Sequence, residues 1–255
     1  MPPTQLNGRV FPPCPKSDDL IHLFNAAPLW NPVEFRKTHW GQYQWNGEEM
    51  ELWPDAGGAY NSAIQAYQAN NVEEAIDLAE TAIELLPRFA EPYIHLSVMY
   101  QKFQDWENCV DTVRRAYENI QEEVPDLHFC LGRALHSQGH FGEAIVEFQK
   151  EVSVSGKNYN LLRWMLQTFD DQLEPIFRKG NDWANRLEIR SLAGCALVCG
   201  FRALAIQSDQ GLAKHLCGLW DDFEKTGEWS LETVQALTGM TLNQFKGFRH
   251  SFGGR

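Results

Sequence analysis

The chain has 255 residues, enough for one or two domains; 44% are hydrophobic and 12% aromatic, a composition that fills a packed core and excludes wholesale disorder. Its formal net charge of −12 argues against a general polyanion binder, because phosphate contacts need clustered Lys and Arg. Six cysteines (14, 109, 130, 195, 199, 217) follow neither a disulfide-scaffold spacing nor a paired Cys-x-x-Cys pattern. With no charged leader ahead of an apolar stretch and no run of about 18 apolar residues, a cytoplasmic protein without a membrane span is expected.

Residues 1–55 read as a Pro- and Trp-rich arm. The first twenty are irregular or extended, with prolines at 2, 3, 12, 13 and 15, and Asp18 to Asn25 can form a short helix that ends before Pro28. Residues 40–53 predict a β-hairpin. Asn46-Gly47 sits between alternating runs, and both residues tolerate the positive φ of a type I′ turn. Tyr43, Trp45, Met50 and Leu52 then share one face, which should lie on something, because a lone hairpin is marginal in water. The alternative is an irregular aromatic loop. Tryptophans 30, 40, 45 and 53 fit either a folded cap or an arm packed into a groove.

Residues 56–156 hold three helix–turn–helix units. Asn70-Asn71-Val72-Glu73-Glu74-Ala75, Phe103-Gln104-Asp105-Trp106-Glu107-Asn108-Cys109 and Gly139-His140-Phe141-Gly142-Glu143-Ala144 each form a turn and the start of a second helix. Their small residues, 75, 109 and 144, recur at intervals of 34 and then 35. The first unit adds Ala63, Ala82 and Pro87; the second Tyr93, Leu96, Ser97, Tyr100 and Ala116; the third Leu131, Gly132 and Phe148. This pattern resembles the tetratricopeptide repeat. Ala66 and Ala79 stand where larger residues are usual, and Glu151 stands where a small one is. The resemblance covers about two-fifths of the chain and implies a mainly α fold: a three-unit right-handed α-solenoid with an N-terminal hairpin or aromatic cap and a C-terminal α-helical extension.

In that family the first helix of each unit lines a concave surface that holds an extended or helical peptide. Carried over, the groove positions are Tyr60, Ile64 and Tyr67, then Ile94, Val98 and Gln101, then Phe129, Arg133 and His136. The heat-shock chaperone branch places Lys and Asn at such positions to clamp a terminal carboxylate. Tyr60, Ile64, Ile94 and Val98 depart from that, so the groove suits a hydrophobic segment with at most one acidic anchor. Alternatively, the chain's own N-terminal region covers these positions.

Residues 157–255 read as an α-helical region. Asn158 to about Arg178 carries Leu161, Leu162, Trp164, Met165 and Phe169 on one side, with Pro175 as a kink or a new start. Asn181 to Gln207 has a core, Leu192 to Gly200, that is apolar nearly all round and predicts burial on several sides. Asp209 to Lys225 is a third helix. Ser230-Leu231-Glu232-Thr233 has the form of a capping box and opens a short helix, followed by a second from Leu242 to about Phe248. This tail resembles the helix-turn-helix of bacterial regulators, with Asn243, Lys246 and Arg249 facing outward; a helical hairpin with no nucleic-acid role is the alternative.

No residue presents itself as catalytic. His136 and His140, with Glu143 near, straddle the Gly139 turn, so one helix cannot present them together to a metal. Cys195 and Cys199 share a helix face, but nothing near them would lower a thiol pKa. There is no Gly-rich phosphate loop, Gly-x-Ser-x-Gly elbow or zinc-protease helix. The chain is therefore read as a non-enzyme that takes no cofactor. The expected function is protein–protein interaction, as a scaffold or dedicated chaperone whose partner is another protein or peptide. The alternative is a transcriptional regulator that contacts DNA through the tail.

Overall fold

The computed structural model describes residues 46–179 and 183–253, and the backbone of a two-residue antiparallel pairing, Gln5–Leu6 with Arg9–Val10. The Pro-rich lead, the helix expected at Asp18 to Asn25, Cys14, tryptophans 30, 40 and 45 and the first strand of the expected hairpin lie outside the described residues. The chain divides into two compact units, Lys16–Ser155 and Met1–Pro15 with Gly156–Arg255.

The first unit contains three helical hairpins: α1 (Gly47–Gln68) with α2 (Val72–Leu85), α3 (Ala90–Lys102) with α4 (Trp106–Asn119), and α5 (Leu127–Ser137) with α6 (Phe141–Ser155). From Gly47 onward the chain is helical, so the second strand expected at 48–53 is replaced by the first turns of α1. Asn46 takes an extended backbone and its side chain accepts from the Glu49 amide at 2.9 Å. The Glu49 carboxylate accepts from the Asn46 amide in return, at 2.8 Å. That reciprocal box satisfies two groups a helix start leaves open, which is why Asn-Gly begins a helix instead of centring a turn. Trp53 is buried against Phe89, ring centroids 5.2 Å apart.

The three hairpins turn in the same way. Asn70, Gln104 and Gly139 each take a left-handed conformation. The amides of these residues bond to the carbonyls of Tyr67, Gln101 and His136. The next amides, of Asn71, Asp105 and His140, reach back to Ala66, Tyr100 and Leu135. Ala75, Cys109 and Ala144 then bond to the carbonyls of Asn71, Asp105 and His140, and all three are fully buried. Small residues also recur where the two helices of a pair cross, at Ala63, Ser97 and Gly132. A Cβ on Gly132 would lie 2.6 Å from the Phe148 ring. The positions equivalent to Phe148 are Ala79 and Val113, so the smallest residue on one helix faces the largest on the other.

The second unit contains α7 (Tyr159–Lys179), α8 (Trp183–Ile206), α9 (Gln210–Lys225), α10 (Leu231–Thr238) and α11 (Leu242–Phe252). Pro175 neither ends nor restarts α7, which runs through it. Helix α8 packs against α7, α9 and α10, and Gly200 lets Leu216 of α9 approach closely. Contrary to the sequence expectation, Asn185–Ile206 is long and apolar enough to cross a membrane, by length and composition alone; half of its apolar window is buried inside the unit. The stretch contains no unbroken apolar run, because charges such as Arg190 and Arg202 sit towards its two ends. Phe245 of α11 closes the unit against Trp220, 4.4 Å between centroids.

Candidate functional site

The nine positions carried over from the resemblance fall on α1, α3 and α5, three on each, at i, i+4, i+7 spacing that keeps them on one helix face. Eight are buried: Tyr60, Ile64, Tyr67, Ile94, Val98, Gln101, Phe129 and Arg133. His136 is half-buried. Tyr60 joins α1 to α3: its hydroxyl lies 2.8 Å from His95 Nδ1, its ring stacks on His95 and it meets Phe89 edge-on. Burial pushes that hydroxyl well above its ordinary pKa, so it stays neutral. Lys102 lies over the Tyr67 ring at 5.0 Å. Gln101 joins α3 to α5 by donating to the Cys130 carbonyl at 3.2 Å. The Arg133 guanidinium lies 5.9 Å from the Phe129 ring, and His136 meets Phe141 edge-on. The face thus combines aliphatic and aromatic surface with a buried guanidinium and two polar side chains, Gln101 and His136.

Two polar features at this end of the repeats carry no family signal. Glu151, buried on α6, accepts from the amides of Asp126 at 3.0 Å and Phe129 at 3.3 Å, and from the Ser155 hydroxyl. It thereby caps α5, whose N-cap residue Asp126 is left-handed and offers no side-chain cap of its own. A long carboxylate where Ala82 and Ala116 stand in the other hairpins is thus put to use at a helix start. Beside it, His128 Nδ1 lies 2.7 Å from both Glu147 and the Tyr117 hydroxyl, and Nε2 lies 3.1 Å from Glu123. Burial alone would lower the His128 pKa, but its bonds to Glu147 and Glu123 outweigh that and hold it above the ordinary 6.5. On the outer helices, Arg115 grips Glu80 in a two-pronged pair at 2.9 and 2.7 Å, which joins α4 to α2.

His140 pairs with Glu143 at 3.1 Å, away from the His136 ring contact, and among the described residues no group of three His, Cys, Asp or Glu side chains could hold a metal. Cys195 is exposed and Cys199 buried, and burial pushes the Cys199 thiol up to about 12. In the tail, Ser230 and Thr233 form the expected reciprocal box, and Thr241 with Gln244 forms a second that opens α11. Asn243 and Lys246 are exposed. Arg249 is half-buried and held by Asp221 and Glu224 of α9. A buried pair in the second unit, His215 Nε2 to Asp170 at 2.7 Å, ties α9 to α7; its partners lie 45 residues apart, beyond any local sequence pattern.

No protein-family model matches the chain. It is similar to the TPR repeat-containing protein YvcD of Bacillus subtilis (strain 168), 23% identical over 109 residues. The match takes in 43% of this chain and 22% of that protein, so the chain spans about a fifth of its relative's length. Hairpins that repeat bond for bond at intervals of 34 and 35 residues agree with this likeness, and residues 47–155 are consistent with a run of tetratricopeptide-like repeats.

Proposed function

We propose that the repeats form a protein-interaction module that holds an apolar, aromatic-bearing segment of another protein along the face made by α1, α3 and α5, as a scaffold or a dedicated chaperone. The observation that carries this reading is the composition of that face. Tyr60, Ile64, Ile94, Val98 and Phe129 give the face an aliphatic and aromatic surface that is buried in the structure and that a partner must open to reach. The clamp of lysines and asparagines that would favour a terminal carboxylate is replaced by apolar side chains.

The test is selection from a displayed peptide library on the full-length protein. Enrichment of aromatic-rich, weakly charged segments is expected. Tyr60→Ala plus Phe129→Ala should weaken the selected peptides at least tenfold while the helical circular dichroism persists. A library that yields only C-terminal carboxylate ligands, or binding that survives the paired substitution, would remove the assignment. The alternative, DNA contact through α10 and α11, would have to work with Lys246 and Asn243, because Arg249 is held between two carboxylates.

A further inference from the structure

We infer that the outward side of α8 pairs with the same helix of a second copy of this chain, antiparallel, about a two-fold axis near Cys195. This pairing lies within the second unit and is independent of the reading of the repeats.

Helix α8 keeps one continuous stripe in water. Leu187, Ser191, Cys195, Arg202 and Ile206 are exposed and follow one another at intervals of four or seven residues. At about 100° per residue, these five and exposed Glu188 fall within an arc of about 100° on one side of the helix. The opposite side is closed: Ile189, Ala193, Ala196, Leu197 and Gly200 are buried, and α7, α9 and α10 pack against the helix. Leu187 is 60% exposed and Ile206 52%, one towards each end of the stripe. A single exposed aliphatic residue needs no explanation, but these two share a stripe with Val198 and Ala205 between them.

Charge selects the occupant. Glu188 lies seven residues before Cys195 and Arg202 seven residues after it, so each stands about 10 Å along the helix from Cys195. Neither forms an ion pair among the described residues. When a second α8 is laid on the first in the opposite direction, with Cys195 at the axis, each Glu188 meets the other copy's Arg202. The same register brings Leu187 within one turn of the other copy's Ile206. A parallel pairing would set Glu188 on Glu188 and Arg202 on Arg202, and like charges repel. The stripe is therefore complementary to itself under a two-fold rotation, which is what an isologous dimer requires. Small Ser191 and Cys195 in its middle let the two helix axes approach. A bilayer would cover the same aliphatic side chains, but it gains nothing from opposite charges set symmetrically about the centre. A stripe some 30 Å long and one helix wide covers roughly 300 Å² per copy, so the dimer is weak and exchanging.

Crosslinking in the full-length chain carrying Cys14→Ser tests this. Cysteines 109, 130, 199 and 217 are buried, which leaves Cys195 as the exposed thiol. A short bifunctional maleimide should join Cys195 to Cys195 in a covalent dimer, and a chain that stays monomeric overturns the inference. Register is read in a Cys195→Ser background. A mixture of the Glu188→Cys and Arg202→Cys chains should join, and neither should join to itself; self-joining, or none in the mixture, overturns the antiparallel pairing. Sedimentation equilibrium up to about 0.5 mM reads the charges: Glu188→Arg should weaken the dimer at least tenfold, and adding Arg202→Glu should restore it. A dimer indifferent to Glu188→Arg lies on another surface and overturns the inference. Flotation with phosphatidylglycerol vesicles that is lost on Leu187→Glu, from a chain that gives no Cys195 crosslink, would assign the stripe to lipid instead.

Discussion

Gly132 shows how much of a repeat depends on single atoms. Its missing Cβ is the space that the Phe148 ring fills, and Phe148 is fully buried, so the ring has nowhere to retreat. Gly132→Ala should therefore cost about 1–3 kcal/mol in urea unfolding, the range for overpacking a tight core. Gly58 lies inside α1 with open space where a Cβ would go, so Gly58→Ala should gain about 0.5–1 kcal/mol from helix propensity. Equal effects from the two substitutions would refute the packing account. Glu151 is the opposite case, a large side chain where the repeat pattern asks for a small one. Glu151→Ala satisfies the pattern but strips an acceptor from the Asp126 and Phe129 amides, so a loss of about 2–3 kcal/mol is expected by thermal unfolding. The sequence marked Glu151 as a departure without a reason, because its partners lie 22 and 25 residues upstream, beyond any local pattern.

At the scale of whole elements, α5 is held by charge as well as by packing. His128 sits between Glu147 of α6 and Glu123 of the preceding loop, with the Tyr117 hydroxyl of α4 on the same nitrogen as Glu147. Lys150 pairs with the other Glu147 oxygen at 2.7 Å. Folding raises the His128 pKa above its unfolded value near 6.5, so its contribution is complete below that pH and is lost as pH rises through the folded value. Glu147 works in the opposite direction. Burial would raise its pKa, but His128 and Lys150 lower it below 4.5, so its contribution is present above that value and lost as pH falls through the folded one. Between those limits the melting temperature should pass through a maximum on the slightly acid side of neutrality. His128→Gln should flatten the alkaline limb in a melting series from pH 5.5 to 9. A variant that keeps the full slope would remove His128 as its cause.

Elements were legible in the sequence wherever a residue's role is set by near neighbours. The capping box at Ser230 was readable because both partners lie within four positions. Asn46-Gly47 was ambiguous for the same reason: Asn suits a turn and a helix N-cap equally, and only Glu49, paired back to Asn46, favours the helix. Arg249 was read as outward-facing, because its carboxylate partners lie 25 and 28 residues away on another helix.

For the molecule as a whole, the interval between Ala75, Cys109 and Ala144 carried the architecture, since each interval reproduces the same turn hydrogen bonds and the same buried small residue. Closure of the face beneath those hairpins could not be read, because periodicity says which residues share a side and not what covers it. Repeats of this kind touch only their neighbours, so stability should pass along the stack as nearest-neighbour terms. Arg115 with Glu80 ties the second hairpin to the first, and Gln101 with the Cys130 carbonyl ties it to the third. A lesion in the third hairpin should therefore spread with attenuation. In native-state hydrogen exchange, Glu151→Ala should accelerate the amides of α5 and α6 most, those of α3 and α4 less and those of α1 and α2 least. Uniform acceleration through all six helices would mean that the hairpins open as one cooperative block, and the nearest-neighbour picture would then be wrong for this chain.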